Sequence, residues 1–154
     1  MTKLLCIFML VLGLVTSGTV AFAEPKHCQS TSGSIITNFG VVDANTTLGT
    51  ATGDLKGAVA ATVLSVTPNP DGTVSFHVQH HWVTEAGDTI NIDPATAVTM
   101  PLSQTLFAII SYPVHISGGT GKFAGATGDL TSIGEADLVA GTVFRYSGKV
   151  CYAH

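Results

Sequence analysis

TVSFHVQHHWVT, Thr73 to Thr84, is the stretch that sets the fold class. Apolar and polar side chains alternate along it. Val74, Phe76, Val78, His80 and Trp82 fall on one face, and Ser75, His77, Gln79 and His81 on the other. A period of two marks a strand with one buried face, because successive side chains point to opposite sides of a sheet. The parity recurs near the end of the chain, where Phe144, Tyr146, Val150 and Tyr152 share a face opposite Arg145, Ser147, Lys149 and Cys151. The first set in each case reads as core and the second as outer face, and no helical stripe competes with either.

Working outward, turn signals divide the chain into further strands. Ser34 to Val42 reads as a first strand, ended by Asp43, Ala44 and Asn45. Asp54 to Val66 is a long run rich in alanine and β-branched residues, and PNPDG at Pro68 to Gly72 turns it back into Thr73, with Asp71-Gly72 as the hairpin signal. Glu85 to Asp88 turns the chain into Thr89 to Asp93. After the region of Pro94 and Pro101, strands are expected over Leu106 to Ile116, Asp129 to Val139 and Thr142 to Tyr152. Seven or eight strands with short links predict a closed antiparallel barrel or a sandwich.

GGTGKFAGATG, Gly118 to Gly128, is the densest glycine segment. Phe123 is expected to tuck under the turn, with Ala124 and Ala126 leaving room for it. GTATGDL at Gly49 to Leu55 parallels GATGDL at Gly125 to Leu130, which predicts a repeated structural corner with Asp54 and Asp129 in equivalent places. An aspartate after a turn glycine accepts bonds from local amides, and Asp71, Asp88 and Asp93 have similar settings. A phosphate loop is rejected, because Ile116 stands where its first glycine is required and Phe123 where Ser or Thr must follow the lysine. The dinucleotide fingerprint and the G-x-S-x-G elbow are missing too.

His77, His80 and His81 form the richest polar cluster. On a strand His77 and His81 lie about 13 Å apart and cannot share one ion, so no metal site is expected, His115 notwithstanding. His80 shares the apolar face and needs a hydrogen-bond partner, either within the core or on a ligand. Asn45-Thr46-Thr47 matches a glycosylation sequon, a three-residue pattern that chance explains.

The first 23 residues read as a secretory signal peptide: Lys3, the apolar run Leu4 to Val15, and Ala21-Phe22-Ala23 before Glu24. The run is too short to span a hydrocarbon core of about 30 Å, and an integral membrane protein is not expected. The domain expected at 24–154 carries five basic and ten acidic residues, a formal charge of −5. Nothing basic is clustered, which argues against a nucleic-acid partner. Cys6 lies in the leader, leaving Cys28 and Cys151, and an even count in an oxidising compartment predicts a disulfide between them.

The glycine segment resembles the GGTGxFxxAxG segment of the allene oxide cyclase-like barrels, the superfamily that includes the dirigent proteins. The GDL and terminal FRYSG segments are similar to those of its small secreted bacterial members of unassigned function. The resemblance implies an eight-stranded antiparallel barrel with a central apolar cavity, often oligomeric, so that a homo-oligomer is an expectation. Relatives cyclise an unsaturated fatty-acid epoxide or steer radical coupling of phenolics, both in a shaped pocket. Their catalytic sets do not carry over. Glu85 and Glu135 sit beside turns, the cysteines are committed to a bridge, and Arg145 faces outward by parity.

The expected protein is thus an exported, single-domain, closed β-barrel without cofactor that binds or shields a small apolar molecule. Its cavity would be lined by Phe76, Val78, His80, Trp82, Ile110, Tyr112, Phe144 and Tyr146. One rival is an isomerase, cyclase or dirigent-type enzyme with His80 or Tyr112 handling a proton, which demands a buried polar pair within about 3 Å facing a cavity. Another is a self-associating extracellular module, which demands an apolar outer patch.

Overall fold

The computed structural model describes residues 27–153, so the signal peptide expected at 1–23 lies outside the described residues. Ten strands follow in order: β1 (His27–Asp43), β2 (Thr46–Ala51), β3 (Gly57–Pro68), β4 (Val74–Thr84), β5 (Thr89–Ile92), β6 (Ala95–Pro101), β7 (Leu106–Ser111), β8 (Pro113–Gly119), β9 (Thr127–Asp137) and β10 (Gly141–Tyr152). All pairings are antiparallel, and β1 joins β10 to close the sheet on itself. β5 and β6 are halves of one wall strand, β7 and β8 halves of another, so the ring is an eight-stranded barrel at either end. Pro94 lies in the first break and Pro113 opens β8 after the second; a proline has no N–H to give a ladder. Gln79 Nε2 donates to the carbonyls of His80 and Ile92, supplying bonds that the ladder loses where β5 ends. No helix among the described residues is long and apolar enough to cross a membrane.

Several expectations need correction. The first strand begins at His27, and two further strands, β2 and β6, occupy segments read as turn or connection. Asp54 is not in a strand: Gly53–Leu55 is a 3-10 turn. The GDL repeat is not a repeated corner either, because Gly128, Asp129 and Leu130 lie within β9. Asp129 faces His115 at 2.8 Å, whereas Asp54 accepts the Ser32 amide, so neither carboxylate serves an adjacent amide. The true repeat pairs Thr52-Gly53-Asp54-Leu55 with Thr120-Gly121-Lys122-Phe123. Each has an extended threonine, a glycine at positive φ, a 3-10 turn and a buried apolar fourth residue. Phe123 is buried as expected, with Ala126 fully buried beside it, while Ala124 is exposed. A Cβ at Gly121 would run into the Asp88 carboxylate, which accepts the Lys122 amide.

Both corners sit at the same end of the barrel and fill it. Leu55, Ile116 and Val150 are almost wholly buried there, and Phe123 packs on Tyr152 at 5.5 Å. Cys28 and Cys151 are direct partners across β1 and β10 and form a disulfide. Cys28 therefore belongs to the wall it braces. The PNPDG hairpin forms as read: Asp71 accepts both the hydroxyl and the amide of Thr73, and these bonds hold its carboxyl below the usual range.

Candidate ligand cavity

At the opposite end several inward-facing residues are small. Ala61, Ala97 and Ala136 point into the barrel where the other end carries Leu55, Trp82 and Tyr146. Smaller side chains on the inner face leave space unfilled. The result is a cavity of about 70 Å³, lined chiefly by Ile35, Phe39, Val59, Val63, Phe76, Val78, Ile109, Leu138 and Phe144 together with those alanines. Ala60, His81 and four threonines also line it, and the threonine hydroxyls are already engaged. Thr37 and Thr142 bond each other at 2.7 Å, Thr99 donates to the Val74 carbonyl, and Thr47 to that of Ala61.

The floor is built from side chains that satisfy an inward-turned backbone. Trp82 Nε1 donates to the Leu55 carbonyl at 2.8 Å, and the Leu55 amide donates to the Tyr146 hydroxyl at 3.0 Å. That hydroxyl donates in turn to the Thr52 carbonyl, and the Trp82 and Tyr146 rings meet edge to face at 5.6 Å. A second space of about 20 Å³ lies against this floor, bounded by Ile92, Val114, Leu130, Ser132 and Tyr146. His80, Trp82, Tyr112, Phe144 and Ile35 border both spaces.

His80 and Tyr112 thus stand between the two spaces. Their Nε2 and hydroxyl oxygen are 2.5 Å apart. His80 keeps some accessible surface, but its Nδ1 has none and no hydrogen-bond partner. Burial pushes the His80 imidazole down to about 4, the charge of His81 adding to the effect. Burial also pushes the Tyr112 hydroxyl well above its usual range. Both groups are neutral near pH 7.

Of the residues expected to line a cavity, Phe76, Val78, His80, Trp82, Tyr112 and Phe144 border the larger space, and Tyr146 lies beneath it. Ile110 does not belong: it is 52% exposed, while Ile109 is 7% and Tyr112 4% exposed. Val98 pairs with Ser111 and Thr99 with Ile109, so Ile110 is the extra residue of a bulge. A bulge inserts one residue and reverses the parity of the positions beyond it. The alanines and threonines of the lining were missed because small or hydroxylated residues carry little hydrophobic signal. Their alternation with outward residues on β6 was the available clue. His77 lies 3.2 Å from Thr96 and His115 beside Asp129, away from His80. Among the described residues no three His, Cys, Asp or Glu side chains come together to hold a metal. Glu85 pairs with Lys56 at 2.7 Å, and Glu135 and Arg145 are exposed.

No protein-family profile matches the chain, and no curated protein matches it. Among solved structures it is similar to the pterocarpan synthase dirigent protein, with 16% identity and a TM-score of 0.41, over 90% of this chain and 96% of that one.

Proposed function

We propose that this is an exported binding protein whose barrel holds a small, mostly apolar molecule. The observation that carries the reading is an apolar cavity at one end of a barrel whose other end is filled with buried side chains, leaving only about 20 Å³ beside the floor. The space of about 70 Å³ exceeds several-fold the roughly 10–15 Å³ that one water needs. A buried water makes about three hydrogen bonds, and this wall offers few uncommitted polar groups. An apolar occupant fits such a lining better than water does. Export is supported by the leader sequence and by the Cys28–Cys151 disulfide, a bond that persists in oxidising compartments.

Native mass spectrometry of the protein recovered from its own cell envelope or medium tests both halves. An intact mass starting at Glu24 with a retained small molecule is expected. Cytoplasmic, unprocessed chain would overturn export. Failure of every apolar probe to bind, with no difference between the wild type and the cavity-filling Ala61→Phe, would overturn the binding role.

The hydrogen-bonded pair His80–Tyr112 favours a second reading, an isomerase or cyclase in the same cavity. Its geometry meets that requirement at 2.5 Å, but its electrostatics work against it. A general base is most effective with a pKa near the working pH. An imidazole held near 4 is a weak base, and a phenol raised by burial is a weak acid. The pair is better suited to holding a group than to moving a proton.

A further inference from the structure

We infer that the molecule held in the barrel is neutral and carries a hydrogen-bond acceptor of the carbonyl type, received by the Nδ1–H of His80. This rests on the binding role proposed above and specifies the chemistry of the occupant. The buried Nδ1 is the one side-chain nitrogen or oxygen among the described residues that is both enclosed and unpartnered. Buried polar groups in folded proteins are otherwise satisfied, and here every threonine hydroxyl noted in the cavity wall is.

Counting hydrogens assigns the tautomer. If His80 donated from Nε2 to the Tyr112 oxygen, two functions would be stranded: the Tyr112 hydroxyl hydrogen and the Nδ1 lone pair. If Tyr112 donates to Nε2, the phenol is satisfied and a single group is left over, the Nδ1–H. The second arrangement strands fewer groups and is favoured on that ground. The leftover group is a donor, so its partner is an acceptor.

The ligand's charge follows from the lining. No lysine, arginine, aspartate or glutamate borders either space, and His81, the other imidazole beside the larger one, is exposed to solvent, so an ionised ligand group would be desolvated without a buried counter-charge. Nδ1 is covered by its neighbours on a ring that borders both spaces, so an occupant meets it when the covering side chains shift while the Tyr112 bond holds the ring.

Acetophenone and α-methylstyrene provide the test, since they share a shape and differ in C=O against C=CH2. Their dissociation constants are measured by calorimetry on the wild type and on His80→Leu/Tyr112→Phe, which removes both hydrogen-bonding partners together and so leaves neither stranded. The preference for acetophenone is expected to fall roughly three- to tenfold in the variant, the range of one neutral hydrogen bond. In the wild type the His80 Nδ1 resonance is expected to shift with acetophenone and not with α-methylstyrene. Binding of both probes with the same ratio in wild type and variant overturns this inference alone. Binding of neither overturns the binding role and this inference with it.

Discussion

Acidification should weaken this barrel, chiefly through one buried side chain, His80. Its imidazole titrates at about 4 in the folded protein against 6.5 when free, because burial penalises the charged form. Above pH 6.5 the group is neutral whether the chain is folded or not, and it contributes no pH dependence. As the pH falls below 6.5 the unfolded chain takes up a proton that the folded one refuses, and stability declines. The decline is complete below about 4, where both states are protonated. A shift of this size is worth roughly 3 kcal/mol, a large part of the 5–15 kcal/mol typical of a small domain. Urea unfolding at pH 7.5, 5.5 and 4 measures it. The variant His80→Leu/Tyr112→Phe keeps every other titrating group and replaces the pair with apolar side chains, a change that is close to neutral when both partners go together. At pH 7.5 it is expected to match or exceed the wild type, since it also removes the stranded Nδ1. By pH 4 it should be ahead by a further roughly 3 kcal/mol. Parallel pH curves for the two proteins would refute the assignment of His80 as a buried neutral imidazole.

Three other outcomes are expected from the packing. Trp82→Phe leaves the buried Leu55 carbonyl without its donor and should cost roughly 1–3 kcal/mol in urea unfolding; a smaller loss would mean the cavity floor does not depend on this bond. Ile109→Ala should cost about 2–5 kcal/mol, whereas Ile110→Ala, on the bulge, should stay within about 0.5, and the reverse order would place the parity change elsewhere. Cys28→Ser/Cys151→Ser opens a link spanning 123 residues and should lower stability by about 2–5 kcal/mol. An unchanged denaturation midpoint would show that the paired strands hold the seam unaided.

Much of the architecture was legible in local pattern. Alternation from Val74 to Trp82 and from Phe144 to Tyr152 assigned the inner face of two wall strands, because side-chain direction in a strand is a property of the backbone. Asp71-Gly72 announced its hairpin, since the turn requires the positive φ that Gly72 adopts. The disulfide partners followed from a count of two in the domain.

Other features were decided only when distant segments met. Ile110 changes face because Ser111 pairs with Val98 and Ile109 with Thr99, a register that β7 alone does not contain. The GDL segments share residues but not conformation, since one is paired between β8 and β10 and the other turns inward beneath Trp82 and Tyr146. The cavity exists because alanines on β3, β6 and β9 converge at one end of the ring. Tyr112 reaches His80 from 32 residues away, leaving one ring nitrogen unanswered. Sequence sets the alternation of side chains along an unbulged strand; where a bulge falls, and which side chains face one another across the barrel, depends on closure and register, and those belong to the assembled fold.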